Sequence, residues 1–108
     1  MEAILAMAAQ ARAEGTYQSG AMALRHVAAS PGFLSMQPCE TCPIELPMLR
    51  GVFGSDSLPW RDEQALTENF GARPHWGQQN FLTCSHTMLE GIYGKANVSD
   101  WMDAVPTV

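Results

Sequence analysis

"TCPIELPML", residues 41–49, has the two-residue period of an extended chain. Ile44, Leu46 and Met48 fall on one side and Glu45 and Pro47 on the other, because successive strand side chains point to opposite faces. Pro47 donates no backbone hydrogen bond, which places this strand at a sheet edge or at a bulge. Upstream, "AMALRHVAA" (21–29) alternates in the same way, with Met22, Leu24 and His26 opposite Arg25 and Val27. Ser30-Pro31-Gly32 is a turn signal, and "FLSM" (33–36) reads as a short strand or a bulged extension.

Outside these stretches the period becomes helical. Residues 3–14 form a first helix with Ile4, Ala8 and Ala11 on one face, and Glu14-Gly15 supplies its stop. Pro59 lies in the first turn of a second helix, with Ser57 as cap and Asp62 and Glu63 favourable to the dipole. Leu66 and Phe70 are four apart on its inward face, and Gly71 ends it. After a short extended segment (72–77), Ser85 caps a third helix whose Met88, Leu89 and Ile92 face inward and which Gly94 stops. Ser99 opens a last short helix carrying Trp101, closed by Pro106. This order predicts an α+β fold: an antiparallel sheet of about three to five strands with helices packed on one face, residues 1–108 forming a single domain.

Bulk composition narrows the function classes. The 108 residues are 46% apolar, enough for a core, but only 16% charged, against about 25% in a typical soluble domain. So low a charge content points to a surface partly covered by a partner. The net charge is −5, and the basic residues are scattered at Arg12, Arg25, Arg50, Arg61, Arg73 and Lys95. Without a basic stripe to displace counterions, nucleic acid is not an expected partner, nor is an anionic membrane surface. "MEAILAMAAQARA" (1–13) has the Ala-x-Ala spacings of a signal peptide, but Glu2 and no Lys or Arg stand at its start. It reads as an ordinary helix, and the protein as cytoplasmic.

Cys39-x-x-Cys42 is followed by Pro43 and a strand pattern rather than by the helix that lowers a redox thiol's pKa. Cys39, Cys42, Cys84 and His86 together have the donors of a Cys3His zinc site. The Cys84-x-His86 spacing is not a usual one, so the plainer reading is three unpaired, largely buried thiols and no metal. Ser85 and His86 lack the G-x-S-x-G setting of a nucleophile elbow. "RGVFGSDS" (50–57) lacks the Lys-Ser/Thr of a phosphate loop. His26 reads as a satisfied sheet histidine.

"ARPHWGQQN" (72–80) is harder to place. Structurally, Pro74 stiffens it, Trp76 packs on the core, Gly77 permits close backbone approach, and the three carboxamides are turn chemistry. Functionally, an indole, an imidazole and an amide around a glycine suit a flat heteroaromatic ligand. The residues alone leave both readings open.

With its flanks, "FGARPHWGQQN" (70–80), preceded by a helix and followed by Tyr93 and Asp100-Trp101, resembles the C-terminal domain of the aldonolactone and alditol oxidase family. These are FAD-dependent two-domain enzymes of the D-arabinono-1,4-lactone oxidase and L-gulonolactone oxidase type. "CPIELPM" (42–48) is similar to the family's strand that contributes active-site side chains. The resemblance covers about residues 40–103. It implies that Glu45 faces substrate and that His75, Trp76, Gly77 and Gln78 line the flavin side of the pocket. Glu45 and Gln78 would take the catalytic positions. Pro47 stands where the family has an arginine, and Gln78 where it has a lysine. No FAD-binding domain is present in the sequence, so FAD belongs to the resembled family and no cofactor is expected on this chain alone.

The chain thus reads as a stand-alone or truncated remnant of a substrate-binding domain, and without the flavin domain it is not expected to be active by itself. Its expected partners are a second copy, in a homodimer burying the face of Glu45 and the 73–80 segment, or a separate flavin-domain chain. A non-catalytic interaction module on the same scaffold and a small zinc-binding domain are the alternatives.

Overall fold

The computed structural model describes residues 1–80 and 85–106. In chain order the elements are α1 (Glu2–Ala13), β1 (Ala23–Leu24), β2 (Ile44–Glu45), α2 (Leu58–Phe70), α3 (His86–Tyr93) and α4 (Lys95–Ala104). The fold therefore mixes helices with an antiparallel sheet. Among the described residues that sheet has two strands rather than three to five.

The shortness of the strands has a local cause. Ala23 pairs with Glu45 and Leu24 with Ile44, and an isolated bridge joins Val27 to Thr41 in the same register. Val27 and Thr41 exchange both backbone hydrogen bonds at 3.0 Å. Between these pairs Arg25 N–H donates to the Pro43 carbonyl at 3.2 Å, and Pro43 has no N–H to return. One proline thus splits a longer hairpin into a two-residue ladder and a bridge. Pro47 lies beyond the paired residues. It packs against Gly20, where an added Cβ would fall 2.8 Å from the Pro47 Cγ. Residues 33–36 are not a strand: Ser35 N–H bonds the Gly32 carbonyl at 3.1 Å in a turn, and Ser35 Oγ accepts from Gln37 N–H at 3.0 Å.

The first helix ends as its sequence indicates. Gly15 N–H returns to the Arg12 carbonyl and Thr16 N–H to that of Ala11, at 3.1 and 2.9 Å, the paired bonds of a Schellman motif. Ile4 and Ala11 are buried, whereas Ala8 is exposed. In α2, Leu58 is buried and Pro59 stands in the first turn, but the Ser57 side chain makes no capping bond. Phe70 is 64% exposed instead of inward. Leu58, Asp62 and Leu66 form the inward line, and each four-residue step rotates about 40° around the axis, so Phe70 stands about 120° from Leu58.

Ser85 caps α3 as expected, its Oγ accepting from Met88 N–H at 3.4 Å. Leu89 and Ile92 are half-buried, Met88 is exposed, and Tyr93 is the buried residue of the helix. The last helix begins at Lys95, four residues before Ser99. Gly94, at φ +86°, breaks the chain direction in a region that side-chain-bearing residues rarely adopt. The new helix can then bury Val98, which is 1% exposed. Asn97 Nδ2 donates to the Tyr93 carbonyl at 2.8 Å across the break. Among the described residues no helix is long and apolar enough to cross a membrane.

Candidate functional site

The segment 73–80 reaches the body of the protein through its rings and its arginine. Trp76 is half-buried between two aromatic side chains, with centroids 5.7 Å from Tyr93 and 6.2 Å from Trp101. Both contacts are tilted, an arrangement favoured by the ring quadrupoles. The Arg73 guanidinium lies 4.8 Å from the Tyr93 ring centroid, and its Nη1 donates to the Ser35 carbonyl at 2.6 Å. Trp76 Nε1 and Tyr93 Oη are both buried without a well-formed hydrogen bond. Burial pushes the Tyr93 phenol pKa up, while the nearby Trp76 N–H and the Arg73 charge partly offset that rise.

Beyond Trp76 the chain turns back on itself. Gln78 N–H donates to the His75 carbonyl at 3.2 Å. Gly77 N–H donates to His75 Nδ1 at 3.0 Å, so the neutral imidazole carries its proton on Nε2. Asn80 Nδ2 donates to the carbonyls of Gln78 and His75 at 3.0 and 3.3 Å. A Cβ on Gly77 would lie 3.1 Å from His75 Cε1, so the close approach expected there is to the imidazole. His75, Gly77 and Gln78 are exposed at the surface of this turn.

Glu45 is exposed at the end of β2 and pairs with Arg25 across the hairpin, Nη2 lying 3.0 Å from Oε1. This is a diagonal cross-strand pair, because Arg25 stands opposite Pro43 and Glu45 opposite Ala23. Among the described residues no hydrogen bond or ion pair joins Glu45 to residues 75–78.

Cys39 and Cys42 are free and exposed rather than buried. They follow the turn at 33–37, where the short hairpin leaves the chain uncovered. Cys84 lies outside the described residues. His86 stands in the first turn of α3 with Nε2 3.4 Å from Glu90 Oε1. Among the described residues no group of three or more His, Cys, Asp or Glu side chains is arranged to hold a metal ion. His26, expected to be satisfied within a sheet, is exposed beside the Pro43 interruption.

The structure also contains a concave site that the sequence reading missed. A cavity of about 190 Å³ lies between α1, the 16–18 segment, the hairpin and α2. Its walls are mainly apolar, with Ile4, Met7, Ile44, Leu58 and Leu66 among them. Asp62 and Gln18 are among the lining residues. The Asp62 side chain is 13% exposed and its Oδ1 lies 3.9 Å from Arg61 Nε. That guanidinium is held elsewhere, by an ion pair between Arg61 Nη1 and Glu14 Oε2. Burial raises the Asp62 pKa, and the Arg61 charge only partly opposes the rise. The only signal in the sequence was the Leu58–Asp62–Leu66 spacing, which puts a carboxylate on an apolar stripe; nothing marked Gln18.

No protein-family model, curated protein or solved structure matches this chain.

Proposed function

We propose that this chain is a non-catalytic remnant of the substrate-binding domain of an FAD-dependent sugar-lactone or alditol oxidase, and that it acts by association with a second copy of itself. The remnant reading rests on the resemblance of residues 42–48 and 70–80, and the observation that carries self-association is surface. The chain exposes 7544 Å², more than a quarter above the roughly 5,900 Å² that the scaling for monomeric proteins gives at 11.8 kDa. Part of that surface is apolar: Leu49, Phe53 and Trp60 are 64, 75 and 43% exposed, in the run of turns before α2 and in its first turn. Burying such side chains is the main gain in most protein association.

We assign the interface to this 49–60 stretch rather than to the face of Glu45 and the 73–80 segment, because the exposed 75–78 turn presents polar groups. A two-fold axis is the commonest way to close such a contact. Hairpin edges pairing across it would also supply the larger sheet of three to five strands. Non-catalytic action is supported by Glu45 being engaged with Arg25 and by the family's lysine position being Gln78, which brings no charge. A cytoplasmic setting fits the exposed free thiols of Cys39 and Cys42, since reducing compartments preserve them. A separate flavin-domain chain is the alternative partner, because the cofactor supplies the hydride chemistry.

Light scattering at high micromolar concentration tests the proposal. A dimer mass is expected for the parent, and a monomer mass for Phe53→Asp. A monomeric parent would overturn the reading. A flavin absorbance band that survives gel filtration would replace it with a flavin-binding one.

A further inference from the structure

We propose that the cavity between α1 and α2 binds a small hydrocarbon of about the size of toluene. Volume sets the scale: the cavity holds about 190 Å³, and an apolar cavity of about 150 Å³ accommodates benzene. Wall chemistry sets the class. Ile4, Met7 and Ala11 line it from α1, Ile44 from β2, and Leu58 and Leu66 from α2. A guest between these elements meets mainly aliphatic carbon.

The polar lining residues offer a guest little. Thr16 Oγ1 donates to the Ala11 carbonyl at 3.0 Å, while Gln18 Nε2 and Asp62 Oδ1 are covered by neighbouring atoms. A buried water needs several polar partners, which atoms so engaged or covered do not supply. Apolar carbon placed against these walls is favoured instead, in proportion to the area withdrawn from water. Met7 has an unbranched side chain that adapts its shape to what it packs against. Access follows from exposure: Ile4, Ala11 and Leu58 are buried, whereas Tyr17 of the same lining is 59% exposed. An apolar floor therefore opens to solvent beside Tyr17. The cavity is built from one chain, so the inference stands or falls independently of self-association.

The test is a titration of isotope-labelled protein with toluene and with benzoate, followed by amide chemical shifts. Toluene is expected to give saturable shifts at Ile4, Ala11, Leu58 and Leu66. Benzoate, of similar size, should bind at least about tenfold more weakly, because an ionised carboxylate is costly to withdraw from water. Ala11→Leu fills the cavity from its floor and should abolish the toluene shifts. Should that variant fail to fold, Leu66→Ala is the second: it enlarges the space and should favour naphthalene over toluene, the reverse of the parent. No saturable shift with toluene would overturn the proposal, as would benzoate binding as tightly as toluene. Undiminished toluene binding in folded Ala11→Leu, or an unchanged size preference in folded Leu66→Ala, would overturn it too.

Discussion

Arg73 is held over the ring of Tyr93, 4.8 Å from its centroid, while the same guanidinium donates to the Ser35 carbonyl at 2.6 Å. A single side chain thereby ties the 73–80 segment to α3 and to the turn beyond the hairpin. The charge needs both contacts: the aromatic face attracts it, and the carbonyl satisfies one of its donors.

Arg73→Ala is therefore expected to cost about 2–4 kcal/mol, combining a charged hydrogen bond with a cation–π contact. Arg73→Lys should recover only part of that, because an ammonium lacks the planar fork that serves both partners. Urea denaturation of the three proteins measures it. A loss below about 0.5 kcal/mol for Arg73→Ala would show that the tie is not energetically important.

Trp76→Ala should destabilise by about 3–5 kcal/mol, the usual loss for a large packed aromatic ring. The indole meets both Tyr93 and Trp101, so its removal opens a gap between α3 and α4. Gln78→Ala should stay within about 0.5 kcal/mol, as for an exposed side chain away from structural features. Similar melting temperatures for both variants would contradict the packing role of Trp76.

Two carboxylates should give opposite pH dependences. Burial raises the Asp62 pKa above its ordinary 3.8, so the folded chain holds that proton more tightly than the unfolded chain does. Ionised Asp62 then opposes folding at neutral pH, and the penalty fades as pH falls through the folded pKa towards 3.8. Hydrogen bonds from Arg61 and then Gln10 lower the Glu14 pKa below 4.5, so its contribution is present above 4.5 and lost as pH falls through the folded value. Asp62→Asn should melt above the parent at pH 7, with the gap closing in acid. Glu14→Gln should melt below it at pH 7, also with a closing gap. Melting curves from pH 7 to 3 measure both, and an Asp62→Asn variant less stable than the parent at pH 7 would refute the assignment.

Pro43→Val should restore the missing hydrogen bond from residue 43 to the Arg25 carbonyl and join the two paired parts of the hairpin. The gain of about 0.5–1.5 kcal/mol is offset by a looser unfolded chain, worth about 0.4–1 kcal/mol. Net stability should hardly move. The informative measurement is hydrogen exchange: the new amide at position 43 should be protected, and rapid exchange there would mean that proline is not what interrupts the ladder.

The ends of α1 and α3 were legible in the sequence because they are decided within a few residues, whereas α4 begins at Lys95 rather than at Ser99. Glu14-Gly15 closes α1 and Ser85 caps α3, while the alternation in 21–29 and 41–49 marks two extended stretches and the structure shows that they pair. Pro43 was equally visible, but its consequence depended on register, since the lost bond matters only because Arg25 stands opposite. Burial was less legible. Phe70 continues an apolar spacing, yet helical rotation carries it away from the line of Leu58, and only packing shows where that line ends. Tyr93 became a buried ring because Gly94 folds α4 back beside α3. The cavity was least legible of all: Gln18 and Asp62 lie far apart in sequence and line one space only when α1, the hairpin and α2 come together. Local backbone chemistry determined the element ends, while the side chains that share a core or a cavity were decided by tertiary contact, because burial depends on what arrives from elsewhere in the chain.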